Sequence, residues 1–455
     1  HASQSPACVS WKPVLGLFVL VFAAPTCRHR SSVFRRRHSQ VNTANPHRAS
    51  ADPRQQVTLR GGGAANQLAS ATIGIELTNL DRHVPRGGQF KYLMDLARGL
   101  SSLAPSSTRF VFIGSLPHPP EEIGDLFRDR PATWKYIQLD RWDFKGSRYL
   151  QHLRFLRVAL REKLSLLHCP HAFVPAWVPC PVILTVHDLI FEILEEYRPV
   201  LSDRYYRMNR WINIHRTDRY ISISDSTTRD MMRLWNSDPS RISTIHHGHH
   251  PWPKTDTCPE ALSWLGDNPE QTILSTFNLE PRKNLHVMLD SFALLTERYP
   301  KLKLILFGSA ESTPERERQY EEHVARLGIG NRVLRTGFLS ERSLATLYSK
   351  TAMFVFPSVY EGFGYPVLEA MSAGACVVCG RVSSLPEIVE DAGLIVERCD
   401  PESFATAIET LLKDPERRTR LGKAGVARAA MFSVEKMVKA TLGLYEETVA
   451  RRIVP

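Results

Sequence analysis

The stretch Phe354-Val-Phe-Pro-Ser-Val-Tyr-Glu361-Gly362-Phe363-Gly364-Tyr365-Pro366-Val-Leu-Glu369-Ala-Met371 changes character twice in eighteen residues. It begins as an apolar run closed by a proline, the pattern of a strand buried on both faces. A glycine-bearing loop follows, and Pro366 stands where a helix favours proline, at its first position. Strand, loop and helix in that order make half of an α/β unit with a parallel sheet. The start of such a helix offers unpaired N–H groups and partial positive charge, which suits a diphosphate. Gly362 and Gly364 allow close backbone approach of a ligand. Glu361 at the loop start and Glu369, read as part of the first helical turn, would repel a phosphate but accept hydrogen bonds from hydroxyls. The expectation is therefore phosphate on the helix amides and sugar or ribose hydroxyls on the two carboxylates. Taken alone, the stretch also reads as a capped helix in which Glu369 only complements the dipole.

Outward from this stretch the same alternation repeats. Strands are expected at 271–277, 302–307, 333–335, 353–356, 376–379 and 394–396, with helices at 285–298, 314–327, 340–350 and 366–373. Helical stretches at 401–413, 415–430 and 433–450 close the chain. Upstream, strands are expected at 72–77, 109–114, 164–168, 182–187, 219–224 and 241–246, between helices at 89–103, 147–163, 201–215 and 226–235. Pro251-Trp-Pro253 and Cys258-Pro259 form a turn-rich break between the two sets. Two doubly wound α/β domains facing a cleft is the economical reading, with ligands at the carboxyl ends of the strands. The expected divisions are a basic head at 1–71, a first domain at 72–252, a second at 253–430, and a terminal helix at 431–455.

A second chemical signal is Leu279-Glu280-Pro281-Arg282-Lys283-Asn284-Leu285, between the first strand and first helix of the second domain. Arg282 can fork onto phosphate oxygens and Lys283 acts as a point charge, so the pair suits a diphosphate; a solvated basic turn is the plain alternative. No Asp-x-Asp occurs in the sequence, so no metal is expected and fixed cations must stabilise the leaving diphosphate. In the first domain, Arg86-Gly87-Gly88 precedes an amphipathic helix, and Thr185-Val186-His187-Asp188-Leu189 ends an apolar strand. His187 can bond substrate or merely cap that strand. Ser222-Ile-Ser224-Asp225-Ser226-Thr227 reads as a helix cap. His246-His-Gly-His-His250 reads as an exposed turn, with metal binding as the sharper alternative. Cys376-Val-Val-Cys379 reads as a buried strand with its thiols on opposite faces, or as a distorted strand end, in either case a structural role fitting a reducing compartment.

Charge excludes one broad class. The net charge of +11 is concentrated in residues 1–71, which hold nine of the 58 basic residues and one of the 47 acidic ones. The remainder is close to neutral, so no nucleic-acid partner is expected. The apolar run 14–24 is about half of what a bilayer span requires. It has the size of a signal-peptide core, and the Arg- and Ser-rich stretch after it also fits an organellar transit peptide.

From about residue 71 onward, the chain resembles glycosyltransferase family four, of GT-B fold, and especially its bacterial mannosyltransferase-like branch. The resemblance rests on the Glu361–seven residues–Glu369 signature and on Glu280-Pro-Arg-Lys-Asn284. Thr336-Gly337-Phe338-Leu339, Val382-Ser-Ser-Leu-Pro386-Glu387 and Thr185-Val-His-Asp188 support it. It implies that Arg282 and Lys283 hold the donor diphosphate. Glu361 and the amides of Gly362, Phe363 and Gly364 would hold the transferred sugar, and Glu369 the ribose. Gly337, Phe338 and Leu339 would flank the base, His187 would approach the reacting carbon, and Gly88 would lie near the diphosphate. The first glycine loop departs from the family's usual Gly-Ile-Gly-Arg, and the histidine turn replaces a common Pro-Asn-Gly. The resemblance further implies retention of configuration, no metal or other cofactor, and a last helix crossing back after Phe432. GDP-mannose is the implied donor, and a lipid-linked glycan or growing polysaccharide the acceptor. The implied location is cytoplasmic with peripheral membrane contact, or organellar if the head is a transit peptide. Two rivals stand beside it: a non-catalytic sugar-nucleotide binder of the same fold, and a nicotinamide enzyme using Gly362-x-Gly364, although Val367 stands where a third glycine belongs.

Overall fold

Parallel pairing is the rule in both sheets of the computed structural model, which describes residues 68–453 except 79–86, 131, 140–146, 172, 198–202, 253–257 and 309–312. Expectations for residues 1–67, Arg86 and Pro253 fall outside the described residues. The first sheet has the order β3-β2-β1-β4-β5-β6-β7. Its strands are β1 (Thr72–Glu76), β2 (Arg109–Gly114), β3 (Trp134–Gln138), β4 (Leu166–Cys169), β5 (Val182–Val186), β6 (Arg219–Ser222) and β7 (Ile242–Thr244). The second has the order β10-β9-β8-β11-β12-β13. It is built from β8 (Thr272–Thr276), β9 (Lys303–Phe307), β10 (Val333–Gly337), β11 (Met353–Phe356), β12 (Val377–Gly380) and β13 (Leu394–Val396).

The first lobe carries helices α1 (Gly88–Leu103), α2 (Ser147–Glu162), α3 (Arg204–Arg216) and α4 (Asp225–Trp235). The second carries α5 (Leu285–Thr296), α6 (Pro314–Leu327), α7 (Glu341–Lys350), α8 (Tyr365–Ser372), α9 (Pro401–Leu412) and α10 (Pro415–Ala429). The last helix is α11 (Val434–Ile453).

The central strands read as largely apolar sequence because both faces of their sheet are covered. In the first lobe Ile73, Ile75, Phe110 and Phe112 enter one core while Val111, Ile113, Leu167 and Leu184 enter the other. In the second, Val377 and Cys379 pack on one side and Cys376 and Val378 on the other. The two thiols therefore face opposite ways, as their odd spacing requires.

β3 escaped sequence reading. It is an edge strand, its Lys135 and Gln138 are exposed, and no apolar run announces it.

α11 buries Met437, Val438 and Tyr445 in the first lobe's core beside α1. Gly99 permits the approach: a Cβ there would fall 2.3 Å from Val438 Cγ2. The described residues from β1 to α11 thus return to the lobe they start in, and all strands point their carboxyl ends at one edge of each sheet.

Candidate active site

β11 ends at Phe356, and the loop after it carries the candidate functional groups. Glu361 is buried, and its Oε1 receives Arg282 Nη1 at 3.0 Å and Lys283 Nζ at 2.7 Å. Ser358 Oγ lies 2.7 Å from the same oxygen. Arg282 also donates Nε to Glu280 Oε2 at 2.8 Å. The two cations reach this point because β8 and β11 are neighbours, and a single helical turn at Pro281–Lys283 lifts both side chains off the end of β8. Asn284 ends that turn with φ +57 and ties it to β11's loop through the Pro357 carbonyl, 3.1 Å away.

Burial alone would raise the Glu361 carboxyl, but Lys283 and Arg282 outweigh it and hold it below its usual range. Burial pulls the Lys283 amine down, and Glu361 offsets only part of that. Arg282 keeps its charge: burial opposes it, while Glu361, Glu280 and Asp188 together raise it.

α8 begins one residue earlier than its proline implied. Tyr365 is its first residue, Pro366 its second, and Gly364 with φ +108 precedes it. The first bond back from the helix runs from Val367 N to Gly364 O, so the amides of Gly362 and Phe363 lie ahead of the ladder at its positive end. Glu369 accordingly sits one residue further in than the sequence suggested, beyond the first turn, which holds no acidic residue. Its carboxylate takes Lys91 Nζ of α1 at 2.7 Å, a contact between lobes.

The first lobe meets this loop at several points. Gly362 lies against the His187 backbone and the Asp188 Cβ. A Cβ on Gly88 would sit 2.9 Å from the Tyr365 ring. Glu387 reaches across to the amides of Asp225 and Ser226 at 2.9 and 3.1 Å. The cap expected around Ser224 is present, its hydroxyl accepting Thr227 N, and Glu387 completes it from the other lobe. His187 is buried, and its Nε2 donates to the Pro170 carbonyl at 2.8 Å. That bond assigns the tautomer, and burial pushes the ring down to about 4.

Gly337, Phe338 and Leu339 lie at the end of β10, two strands from β8 on the same edge. Gly337 has φ +72 and accepts Gly308 N; Phe338 is 71% exposed, while Leu339 packs into the lobe. The structure thus brings Arg282, Lys283 and Glu361 into direct contact. It sets His187 against Gly362 of the same loop, places Gly88 beside Tyr365 and Glu369 within α8, and leaves Gly337 to Leu339 to one side.

One expectation is overturned. The His246–His250 segment is not an exposed turn, because His247 and His249 are buried. Gly248 presses on the start of α11, where a Cβ would lie 2.4 Å from the Val434 backbone. His247 stacks on Tyr365 with ring centroids 5.0 Å apart. Among the described residues, no group of three or more His, Cys, Asp or Glu is placed to hold a metal ion.

Sequence reading also passed over Ser358, Ser383 and Ser384, which position the loop. Ser383 Oγ accepts Glu361 N at 2.8 Å, and Ser384 Oγ donates to the carbonyls of Glu361 and Phe363. The serine pair stood in a quoted motif, and hydroxyls beside a turn were the available signal. Lys91 had none.

With this geometry in place, the comparisons with known proteins are decisive. The Glycosyltransferase Family 4 description matches residues 86–251, and Glycosyl transferases group 1 matches residues 263–428. O-antigen chain mannosyltransferase B of Escherichia coli is 31% identical over 310 residues, covering 65% of this chain and 78% of that protein. The chain belongs to glycosyltransferase family four. This glycosyltransferase is also 29% identical over 266 residues to the serotype-specific mannosyltransferase WbdA of Escherichia coli, 56% of this chain but 32% of that one. Its fold matches Anabaena Alr3699/HepE in complex with UDP and glucose, with TM-score 0.65, 17% identity, and coverage of 83% of this chain and 100% of that one. Sucrose-phosphate synthase from Thermosynechococcus elongatus matches with TM-score 0.66 and 22% identity over 84% and 100% of the two chains. The glycosyltransferase is a GT-B enzyme, and the nicotinamide and non-catalytic readings of its glycine loop fall away. No helix among its described residues is long and apolar enough to cross a membrane.

Proposed function

We propose that this glycosyltransferase moves mannose from GDP-mannose to a hydroxyl of a growing or lipid-linked glycan, retaining the anomeric configuration and using no metal. The carrying observation is the convergence of Arg282 and Lys283 on Glu361 beside the amide end of α8. Glu361 Oε1 holds both cations in place, and Oε2 is left for sugar hydroxyls. The cations and the α8 amides then take the diphosphate, whose charge grows as the sugar leaves. Glu369 serves the ribose, which requires its contact with Lys91 to yield or be shared. The backbone of Gly337, Phe338 and Leu339 flanks the base, Gly88 stands near the diphosphate, and His187 faces the reacting sugar.

In this scheme the acceptor oxygen bonds to the anomeric carbon on the face from which the diphosphate departs. The acceptor proton passes to the departing phosphate oxygen, so no base from the protein is consumed. The mannosyltransferase relatives support the choice of sugar.

α2 supports peripheral membrane contact: Leu150, Leu153 and Leu160 are exposed on a helix that also carries Arg154, Arg157 and Arg161.

The test is a thermal-shift panel of GDP-mannose, UDP-glucose, UDP-galactose and ADP-glucose in EDTA, followed by transfer to octyl α-D-mannopyranoside. GDP-mannose should give the largest shift, and the product should be an α-mannoside by NMR. A larger shift with a uridine sugar would reassign the donor, an inverted product would remove the same-face scheme, and dependence on added divalent metal would remove the metal-free one.

A further inference from the structure

One buried group at the cleft has no work in the scheme above. His171 follows β4 by two residues, past Pro170, whose carbonyl accepts the His187 Nε2 proton. It is 5% exposed, and neither ring nitrogen has a hydrogen-bond partner among the described residues. Its ring stacks on His187, with centroids 6.2 Å apart and planes 25° apart. β4 and β5 are neighbours in a parallel sheet, so the two imidazoles stand side by side at its carboxyl edge.

We infer that His171 binds a hydroxyl of the acceptor sugar, next to the carbon that His187 faces. Burying an imidazole with both nitrogens unpaired is costly, and an apolar ring would fill the same space without that cost. Burial, with His187 adding to it, pushes the ring down to about 3, so it stays neutral at any working pH. A neutral imidazole offers one donor and one acceptor, which matches a hydroxyl and not a phosphate. The acceptor is the fitting occupant because Arg282, Lys283, Glu361 and α8 belong to the second lobe, whereas His171 belongs to the first.

The inference rests on the proposed transfer reaction, so its test reads donor and acceptor separately. The full chain and its His171→Phe and His171→Asn variants are assayed with GDP-mannose and octyl α-D-mannopyranoside. Phe should lower kcat/KM for the mannoside tenfold or more, leave the Kd for GDP-mannose within twofold, and keep or raise Tm. Asn, which restores a donor and an acceptor, should recover part of the loss. Among the deoxy analogues of the mannoside, one should be poor with wild type yet no worse than its parent with the Phe variant. Mannoside kcat/KM within twofold of wild type in the Phe variant, or a loss confined to donor affinity, would overturn the role of His171. Wild-type chain that binds no nucleotide sugar would instead sink the transfer reading itself.

Discussion

Gly362 and His187 touch backbone to backbone across the two lobes: a Cβ on Gly362 would stand 2.1 Å from the His187 carbonyl oxygen. The atom met is backbone and not the end of a flexible side chain, so alanine must push the lobes apart by about an ångström, a misplacement worth roughly 10²-fold in rate. Gly362→Ala should lose turnover on that scale while the purified chain keeps its far-UV circular dichroism and its thermal shift with GDP. Turnover within threefold of wild type would mean the closed contact is not used in catalysis.

The Lys283–Glu361 pair is nearly buried, with side-chain exposures of 12% and 9%. Removing Lys283 takes one of two cations from a buried carboxylate that Arg282 still holds, so the cost falls below the about 3–5 kcal/mol of a fully stranded buried pair. Lys283→Ala should therefore lower Tm, and turnover by roughly 10² to 10³ as for the loss of one electrostatic stabiliser. Lys283→Met combined with Glu361→Gln should regain much of the stability without regaining activity, a coupling that a double-mutant cycle in urea would measure. Strictly additive losses in that cycle would speak against a coupled pair.

Glu387 caps two amides of α4 from the opposite lobe. A carboxylate in that position contributes about 1 kcal/mol. Because both lobes must close for the contact to form, Glu387→Ala should raise the KM for donor several-fold with little change in global Tm. An unchanged KM accompanied by a large fall in Tm would mark the contact as purely structural.

Acid should weaken the fold earlier than carboxylates alone would dictate. Burial pushes His168 and His171 down to about 3 and His187 to about 4, against an ordinary 6.5. In the unfolded chain these rings gain protons as pH falls through 6.5, while in the native state they stay neutral until pH 3–4. Their contribution is therefore fully present above 6.5 and is lost progressively below it, by up to about 1.4 kcal/mol per ring per pH unit. Urea midpoints at pH 7.5, 6 and 5 should decline, and His171→Phe should flatten the slope by one ring's share. Parallel slopes for wild type and variant would contradict the burial of a neutral His171.

The site was legible in the sequence where its residues are local. Glu361 to Glu369 and Arg282-Lys283 each lie on a strand, a turn and the start of a helix, and the loop chemistry shows in glycine, proline and charge. What the two segments do to each other was not legible. The cations and the carboxylate were expected to serve separate parts of one ligand. They are instead hydrogen-bonded together, because β8 and β11 are adjacent despite lying 77 residues apart between Thr276 and Met353. The position of Glu369 was also misread, since glycine at φ +108 starts the helix a residue before its proline.

The periodicity of apolar residues was enough to establish two parallel α/β lobes, since a strand covered on both faces must be apolar throughout. The histidine turn at 246–250 shows the other side. Polar composition pointed to solvent, yet Gly248 lets the turn slide under α11, where His249 N bonds Phe432 O at 2.8 Å and His247 lies flat on Tyr365. Whether a polar side chain meets water or another lobe depends on segments almost two hundred residues away. Local sequence carries no trace of that distance, so only the folded chain could decide it.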